Sequence, residues 1–384
     1  MKFNFDELTD RRHTDSYKWD SDSSDTMIPL WVADMDFRTA PCIVEALQKR
    51  VATGLFGYVS VPEGYYASLV NWFTRRHGWT INPSDVIYTS GVVPAISAII
   101  KALAKPGEGV ILQTPAYNCF FSSIRNNDCI AVENPLRRKE TATGFTFDLD
   151  FDLLEEQAAD PSNRLMILCN PHNPSGRVWS RDELVRIHDI CSRNGVTVIS
   201  DEIHCELTHP GHDYTPYLTV DPEAVACCSP SKAFNIAGLQ IANIVAPVEE
   251  MRRRIDKAIN INEVCDVNPF GVIALRQAYD HGEEWLRALN EYLYANYRFL
   301  REELGRRLPQ LKVCDSESTY LAWVDIRPLG LSDTEVEEKA KREGDVWVNA
   351  GVMYGSKGYV RINYACPRER LREGLDRFCR VFEK

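Results

Sequence analysis

The hydrophobic positions of this chain fall into two rhythms. Between about residues 41 and 282, short unbroken apolar runs alternate with stretches in which apolar residues recur every three or four positions. The runs are DVIYTSG (85–91), GVILQTP (109–115), RLMILCN (164–170), VTVISD (196–201) and AVACCS (224–229). Each is apolar or β-prone without alternation, the pattern of strands buried on both faces. A helix is expected after each run. Helices are predicted over PCIVEALQKRV (41–51), opened by Pro41, and over GYYASLVNWFTRRHG (64–78), closed by Gly78. A third, SRDELVRIHDICSRNG (180–195), carries a Ser180–Glu183 capping box and stops at Gly195. The βαβα order implies an α/β fold with a mostly parallel sheet and helices on both faces.

After about residue 282 the rhythm changes. EEWLRALNEYLYANYRFLREELGRRL (283–308) predicts one long helix. Strand-like LKVC (311–314) and YLAWVDI (320–326) follow, then a charged helix near 333–343, a strand GYVRINY (358–364) and a last helix from Pro367. This reads as a smaller α+β domain, 283–384, behind a large domain, 41–282. Residues 1–40 are polar and turn-rich apart from PLWVADMDF (29–37). They read as an arm that packs on the small domain or on a partner subunit.

Composition narrows the function. A chain of 384 residues exceeds one ordinary core, in keeping with that division. Its formal net charge of −11 provides no field toward phosphate backbones, so no nucleic-acid partner is expected. No stretch approaches the ~18 continuous apolar residues of a membrane span. The opening MKFNFDELTDRR is charged throughout, unlike a signal peptide or anchor. The 12 cysteines are scattered apart from Cys227–Cys228 and form no CxxC pair. Structural zinc is therefore not expected, and free thiols in a reduced, cytoplasmic setting are.

Ligands of doubly wound sheets bind beyond the carboxyl ends of the strands. There the runs deliver Ser90-Gly91 at a helix start, Thr114-Pro115-Ala116-Tyr117, Asn170-Pro171-His172-Asn173-Pro174, Asp201-Glu202, and Ser229-Pro230-Ser231-Lys232. Each alone has a plain explanation as a turn, cap or core residue. Together on one sheet edge they form a set. Lys232 stands out, because SPSKAFNIAGLQ (229–240) holds no other charge. A lysine with a depressed pKa attacks carbonyls. A helix start with nearby hydroxyls suits a phosphate dianion. A carboxylate holds a pyridinium, an aromatic stacks on its ring, and an amide bonds a phenolic oxygen. Pyridoxal phosphate presents all of these groups.

NPHNPSGRVW, SDEIH, SPSKAFNIAG and VRINYACP also stand in a familiar order and spacing. Nearly the whole chain resembles the fold type I pyridoxal-phosphate enzymes of the class I/II aminotransferase superfamily. The resemblance implies pyridoxal 5'-phosphate as cofactor, bonded through its aldehyde to Lys232. It places Asp201 on the pyridine nitrogen, Asn173 on the phenolic oxygen and Tyr117 on the ring face. The phosphate falls to the backbone amides of Val92 and Val93, after Gly91, and to the hydroxyls of Ser229 and Ser231. Arg361 becomes the bidentate fork for the substrate α-carboxylate, with Asn173 and Ala33 also counted as substrate-binding. Tyr58, in FGYVSVPEG, reaches the phosphate from the neighbouring subunit, so a homodimer is the smallest active unit.

Two positions depart from typical aminotransferases. A tyrosine usually follows three residues after the aspartate, where this chain has His204, counted as a cofactor ligand. An arginine commonly clamps the phosphate soon after the lysine, where this chain has AGLQIAN with Gln240 near that place. With WVADMDF, DEIHCEL and SKAFNIAGLQ, these features resemble the cystathionine β-lyase (C-S lyase) subgroup. The implied reaction is α,β-elimination. Lys232 takes the α-proton, the β-thiol leaves with a proton from Lys232 or Tyr58, and aminoacrylate hydrolyses to pyruvate and ammonia. Transamination and a regulator that binds the cofactor are the alternative readings. VTVISDE resembles a Walker B strand, but no GxxxxGK[ST] and no GxGxxG is present. His204, Cys205, His209 and His212 in DEIHCELTHPGHD have metal-like spacing; the plain reading is a polar surface loop, and no metal is expected.

Overall fold

Seven strands form the main sheet. In spatial order they are Val86–Thr89, Ala242–Val245, Val225–Cys228, Thr197–Asp201, Asn163–Cys169, Gly109–Thr114 and Ile130–Pro135. All neighbouring pairs are parallel except those made by Ala242–Val245, which is antiparallel to both its neighbours. The computed structural model describes residues 3–22, 24–261, 263 and 267–383. All five predicted strands lie within this sheet. The unbroken apolar runs have the expected cause. In Gly109–Thr114, Val110 and Leu112 enter one apolar cluster and Ile111 the other, so both faces of the strand are covered.

Three features differ from the sequence reading. Ile130–Pro135 is a largely exposed edge strand, and its apolar run stops after three residues at Glu133, Asn134 and Pro135, too short to signal a buried strand. Ala242–Val245 is fully buried but only four residues long, directly after Gln240 in the left-handed region (φ 51°). No α-helix directly follows Thr197–Asp201 or Val225–Cys228. Turns and the 3-10 segments Tyr217–Thr219 and Ala237–Leu239 stand there instead. Lys232 therefore sits in a tight loop, where Phe234 N bonds Pro230 O (2.9 Å) and Ile236 N bonds Ser231 O (3.0 Å).

The predicted helices form with their expected ends. Pro41 opens Pro41–Ala52, and Gly78, at φ 64°, closes Glu63–His77. Ser180 and Glu183 exchange their capping bonds at the start of Arg181–Arg193. The long helix is Glu283–Arg307. A four-stranded antiparallel sheet runs in the order Lys312–Val313, Leu321–Asp325, Tyr359–Asn363, Asn349–Ala350. It is accompanied by helices Asp333–Gly344 and Arg368–Phe382.

The amino-terminal segment threads between these parts. Ile28–Pro29 pairs in parallel with Val346–Trp347, and Trp31 stacks on Trp347 at 4.0 Å. Behind residues 34–36 lies a buried charge cluster. The side chains of Lys18 and Asp36 are wholly buried, 3.2 Å apart. Asp36 also takes Trp19 Nε1 (2.8 Å) and Arg11 Nη1 (3.0 Å), with Arg370 at 3.5 Å. Burial alone would raise the Asp36 pKa; Lys18, Arg370, Trp19 and Arg11 together bring it below the ordinary carboxylate value.

Removing that carboxylate takes from Lys18 its wholly buried counter-charge and leaves it only the partly exposed Asp34 at 3.5 Å. Asp36→Asn is expected to lower unfolding free energy by about 3–5 kcal/mol, measured by urea denaturation at pH 7. Because the folded pKa lies below the unfolded one, the contribution is present above about pH 4 and is lost as pH falls through the folded value. The gap between the wild type and the variant should close in acid.

Candidate active site

A cavity of about 190 Å³ opens at the carboxyl ends of the parallel strands. Each strand end delivers a different group to it because those ends are also tied together: Asn170 N bonds Asp201 O and Glu202 N bonds Cys227 O, both at 2.9 Å. The cavity wall contains Ala33, Gly91, Val92, Val93, Tyr117, Asn173, Asp201, His204, Ser231 and Lys232. Ten of the residues singled out from the sequence thus share one wall.

Lys232 Nζ donates to the carbonyl of Ala33 at 2.7 Å. Its pKa is brought down to about 8, by burial first and by the positive charge of Arg361 second, against the opposing pull of Asp34 and Asp201. A useful fraction of the amine is therefore neutral near pH 7. Asp201 is buried and its pKa is pushed up to about 7 by burial, with adjacent Glu202 adding to the rise. Its Oδ1 accepts from Ile203 N at 3.1 Å. Lys232 alone does not hold this acid ionised, so a cationic group in the cavity would stabilise it.

His204 is 2% exposed, and its Nδ1 is buried with no hydrogen-bond partner. Burial, then Lys232 and Arg361, lowers its pKa to about 3, so the ring is neutral. An unpaired buried nitrogen in a cavity wall is costly unless a bound group meets it. Asn173 accepts Arg361 Nη1 on Oδ1 at 3.2 Å, which leaves its Nδ2 hydrogens to donate. The helix Val92–Leu103 begins at the cavity, and Gly91 offers no side chain to cap its first amides. A phosphate, a pyridine nitrogen and a phenolic oxygen each find a matching group in this set. By these observations the residues fit pyridoxal phosphate.

Three predicted contributors, Ser229, Arg361 and Tyr58, stand elsewhere. Ser229 is not in the wall; its hydroxyl donates to Ile241 O (2.5 Å) and accepts from Ser231 N (3.1 Å), so it shapes the Lys232 loop. Arg361, on Tyr359–Asn363, stands behind Asn173, with Nη2 on Trp31 O at 2.9 Å and its guanidinium over the Tyr354 ring at 4.7 Å. Gln240 is exposed and lies outside the wall. Tyr58 is 94% exposed and touches nothing at the cavity within one chain.

The stretch 204–212 is not the polar surface loop expected. Cys205 and His209 are buried, with His209 held between Ser316 O (2.9 Å) and the Tyr364 hydroxyl (3.1 Å). Among the described residues, no three His, Cys, Asp or Glu side chains gather to hold a metal ion. Two site residues escaped sequence reading. Tyr320 donates to Ala33 O at 2.8 Å, and nothing distinguishes it from an ordinary strand-entry tyrosine. Asn235 holds the arm, as described below; its place three residues after Lys232 was the available clue.

Comparison with known proteins agrees with this geometry. The family model for aminotransferase class I and II matches residues 25–378. Cystathionine beta-lyase PatB of Bacillus subtilis (strain 168) is 38% identical over 384 residues, covering 97% of this chain and 98% of that protein. Cystalysin from Treponema denticola, whose crystal structure contains a pyridoxal 5'-phosphate cofactor, aligns at TM-score 0.95 and 31% identity over 99% of each chain. The PLP-bound C-S lyase from Staphylococcus hominis aligns at TM-score 0.92 and 31% identity, covering 100% of this chain and 99% of its own. No helix among the described residues is long and apolar enough to cross a membrane. On these grounds the chain belongs to the class I and II aminotransferase family, with the fold of its type I pyridoxal-phosphate members.

Proposed function

We propose that this protein is a pyridoxal 5'-phosphate-dependent carbon–sulfur lyase. It eliminates the thiol from cysteine S-conjugates such as L-cystathionine, with release of pyruvate and ammonia. The observation that carries the reading is the meeting of Lys232, Asp201, Asn173 and neutral His204 on one cavity wall at a helix start. The relatives named above, which include a cystathionine beta-lyase and a C-S lyase, support elimination over transamination. When bound, the cofactor supplies a protonated ring that accepts the electron pair left as the substrate Cα–H bond breaks.

The chain's own residues carry the rest. Lys232 would hold the cofactor aldehyde, and its free amine is the base for the substrate Cα proton. Its depressed pKa makes it a base near neutrality, and the Ala33 carbonyl fixes where its nitrogen lies. Asp201 keeps the ring nitrogen protonated. Asn173 Nδ2 and His204 donate to the phenolic oxygen. The amides of Val92 and Val93 and the Ser231 hydroxyl take the phosphate, and Arg361 takes the substrate α-carboxylate. The Cβ–S bond breaks, the thiolate receives a proton from Lys232, and one water completes hydrolysis of the enamine.

The reading includes a cytoplasmic homodimer with shared sites. Every described cysteine is a free thiol. Leu55, Phe56 and Tyr58 are 70%, 59% and 94% exposed, an apolar run in need of a cover. We place it against a second copy, with Tyr58 reaching that copy's phosphate.

Pyruvate release from L-cystathionine without added keto acid, abolished in Lys232→Ala, is the expected result. Turnover that requires a second keto acid identifies an aminotransferase instead. In cofactor-free protein, reductive labelling of Lys232 by an aldehyde should rise with pH through a midpoint of about 8. The midpoint should move up in Arg361→Ala, since that charge is one cause of the depression. The same variant should raise KM about ten- to hundredfold, the equivalent of a charge-assisted hydrogen bond of ~1.5–3 kcal/mol. For the shared site, mixing impaired Tyr58→Ala and Lys232→Ala proteins should restore pyruvate release through hybrid dimers; no recovery argues against Tyr58 acting across subunits.

A further inference from the structure

The segment 33–37 is held from several sides, and one holder belongs to the Lys232 loop itself. Asn235 adopts the left-handed conformation (φ 53°), which asparagine tolerates better than most residues. That turn aims its amide at the arm. Its Nδ2 donates to Met35 O (2.9 Å) and Phe37 O (2.8 Å), and its Oδ1 accepts from Met35 N (3.0 Å). Three bonds thus tie the loop to a stretch of backbone some 200 residues earlier. Two residues before Met35, the Ala33 carbonyl accepts both Lys232 Nζ (2.7 Å) and the Tyr320 hydroxyl (2.8 Å).

The arm has other anchors. Asn363 Nδ2 bonds Val32 O (2.5 Å) and Asp34 O (2.6 Å), and the Asp36 charge cluster lies behind. These fix the arm to the small sheet. Asn235 alone, among these, fixes it to the loop that carries Lys232.

We propose that Asn235 is a positioning residue for Cα proton removal: it sets the Ala33 carbonyl against the Lys232 ε-nitrogen and so aims that nitrogen at the substrate. This rests on the lyase reading above, in which freed Lys232 is the base. Proton transfer is steep in distance and alignment, so loss of register should fall on the chemical step and not on substrate affinity.

The test uses the holoenzyme and the variant Asn235→Gly, which accepts φ 53° yet removes all three bonds. Asn235→Asp serves as the second variant; it keeps the acceptor for Met35 N and sets a carboxylate against two carbonyls. Three readouts are taken: exchange of the Met35 amide by hydrogen–deuterium exchange, kcat and KM for pyruvate release, and exchange of the L-alanine Cα hydrogen into deuterated water. The expected result for both variants is retained cofactor absorbance and faster Met35 exchange. The kcat and the alanine exchange rate should fall together, by about ten- to a hundredfold, with KM nearly unchanged. Wild-type kcat and alanine exchange despite faster Met35 exchange overturns the proposal. So does a rise in KM at unchanged kcat, which would make the arm a substrate contact only. Wild-type protein that neither releases pyruvate nor exchanges alanine overturns the lyase reading, and this proposal with it.

Discussion

The site depends on one carbonyl oxygen. Ala33 O accepts a hydrogen bond from the Lys232 amine and another from the Tyr320 hydroxyl, and so joins the arm, the Lys232 loop and the small sheet at a point. A partly desolvated amine beside Arg361 is unstable as an ammonium, and that instability makes it reactive. The same environment would let it wander without a fixed acceptor. The carbonyl supplies direction at no charge cost, since it is a dipole whose backbone is anchored by buried ion pairs.

The remaining groups divide one task by their charge states. Asp201, raised by burial to about 7, calls for a cation; His204, lowered to about 3, presents a neutral ring; Asn173 has its oxygen occupied by Arg361. None of these states is set by the residue alone. Each follows from removal of water at the strand ends plus its named neighbours.

Much of this was readable from the residues. Strands buried on both faces write themselves as unbroken apolar runs, and Ser180–Glu183 or Gly78 announce helix ends through their own bonding rules. Strand ends in such a sheet converge, so Asp201, Asn173 and Lys232 were readable as a set. What escaped was of two kinds. The exposed edge strand Ile130–Pro135 and the four-residue Ala242–Val245 carry too little pattern to separate them from loops. Tyr320, Asn235 and the Ala33 carbonyl act through backbone contacts that no side-chain pattern encodes. Ser229 has a second role of the same kind: its hydroxyl serves Ile241 O, a partner only the folded loop reveals.

The threading of the arm has a consequence for biosynthesis. Trp31 O is held by Arg361, Asp34 O by Asn363, and Ser24 by Asp345, contacts spanning 330, 329 and 321 residues. A ribosome emits the arm first and these three holders last. The sheet that bears Lys232 can assemble while the arm still lacks its seat, so the pocket is the final part of the molecule to close. Until the last strand emerges, the arm lacks Arg361 and Asn363, and the set of contacts that seats Ala33 against Lys232 is incomplete.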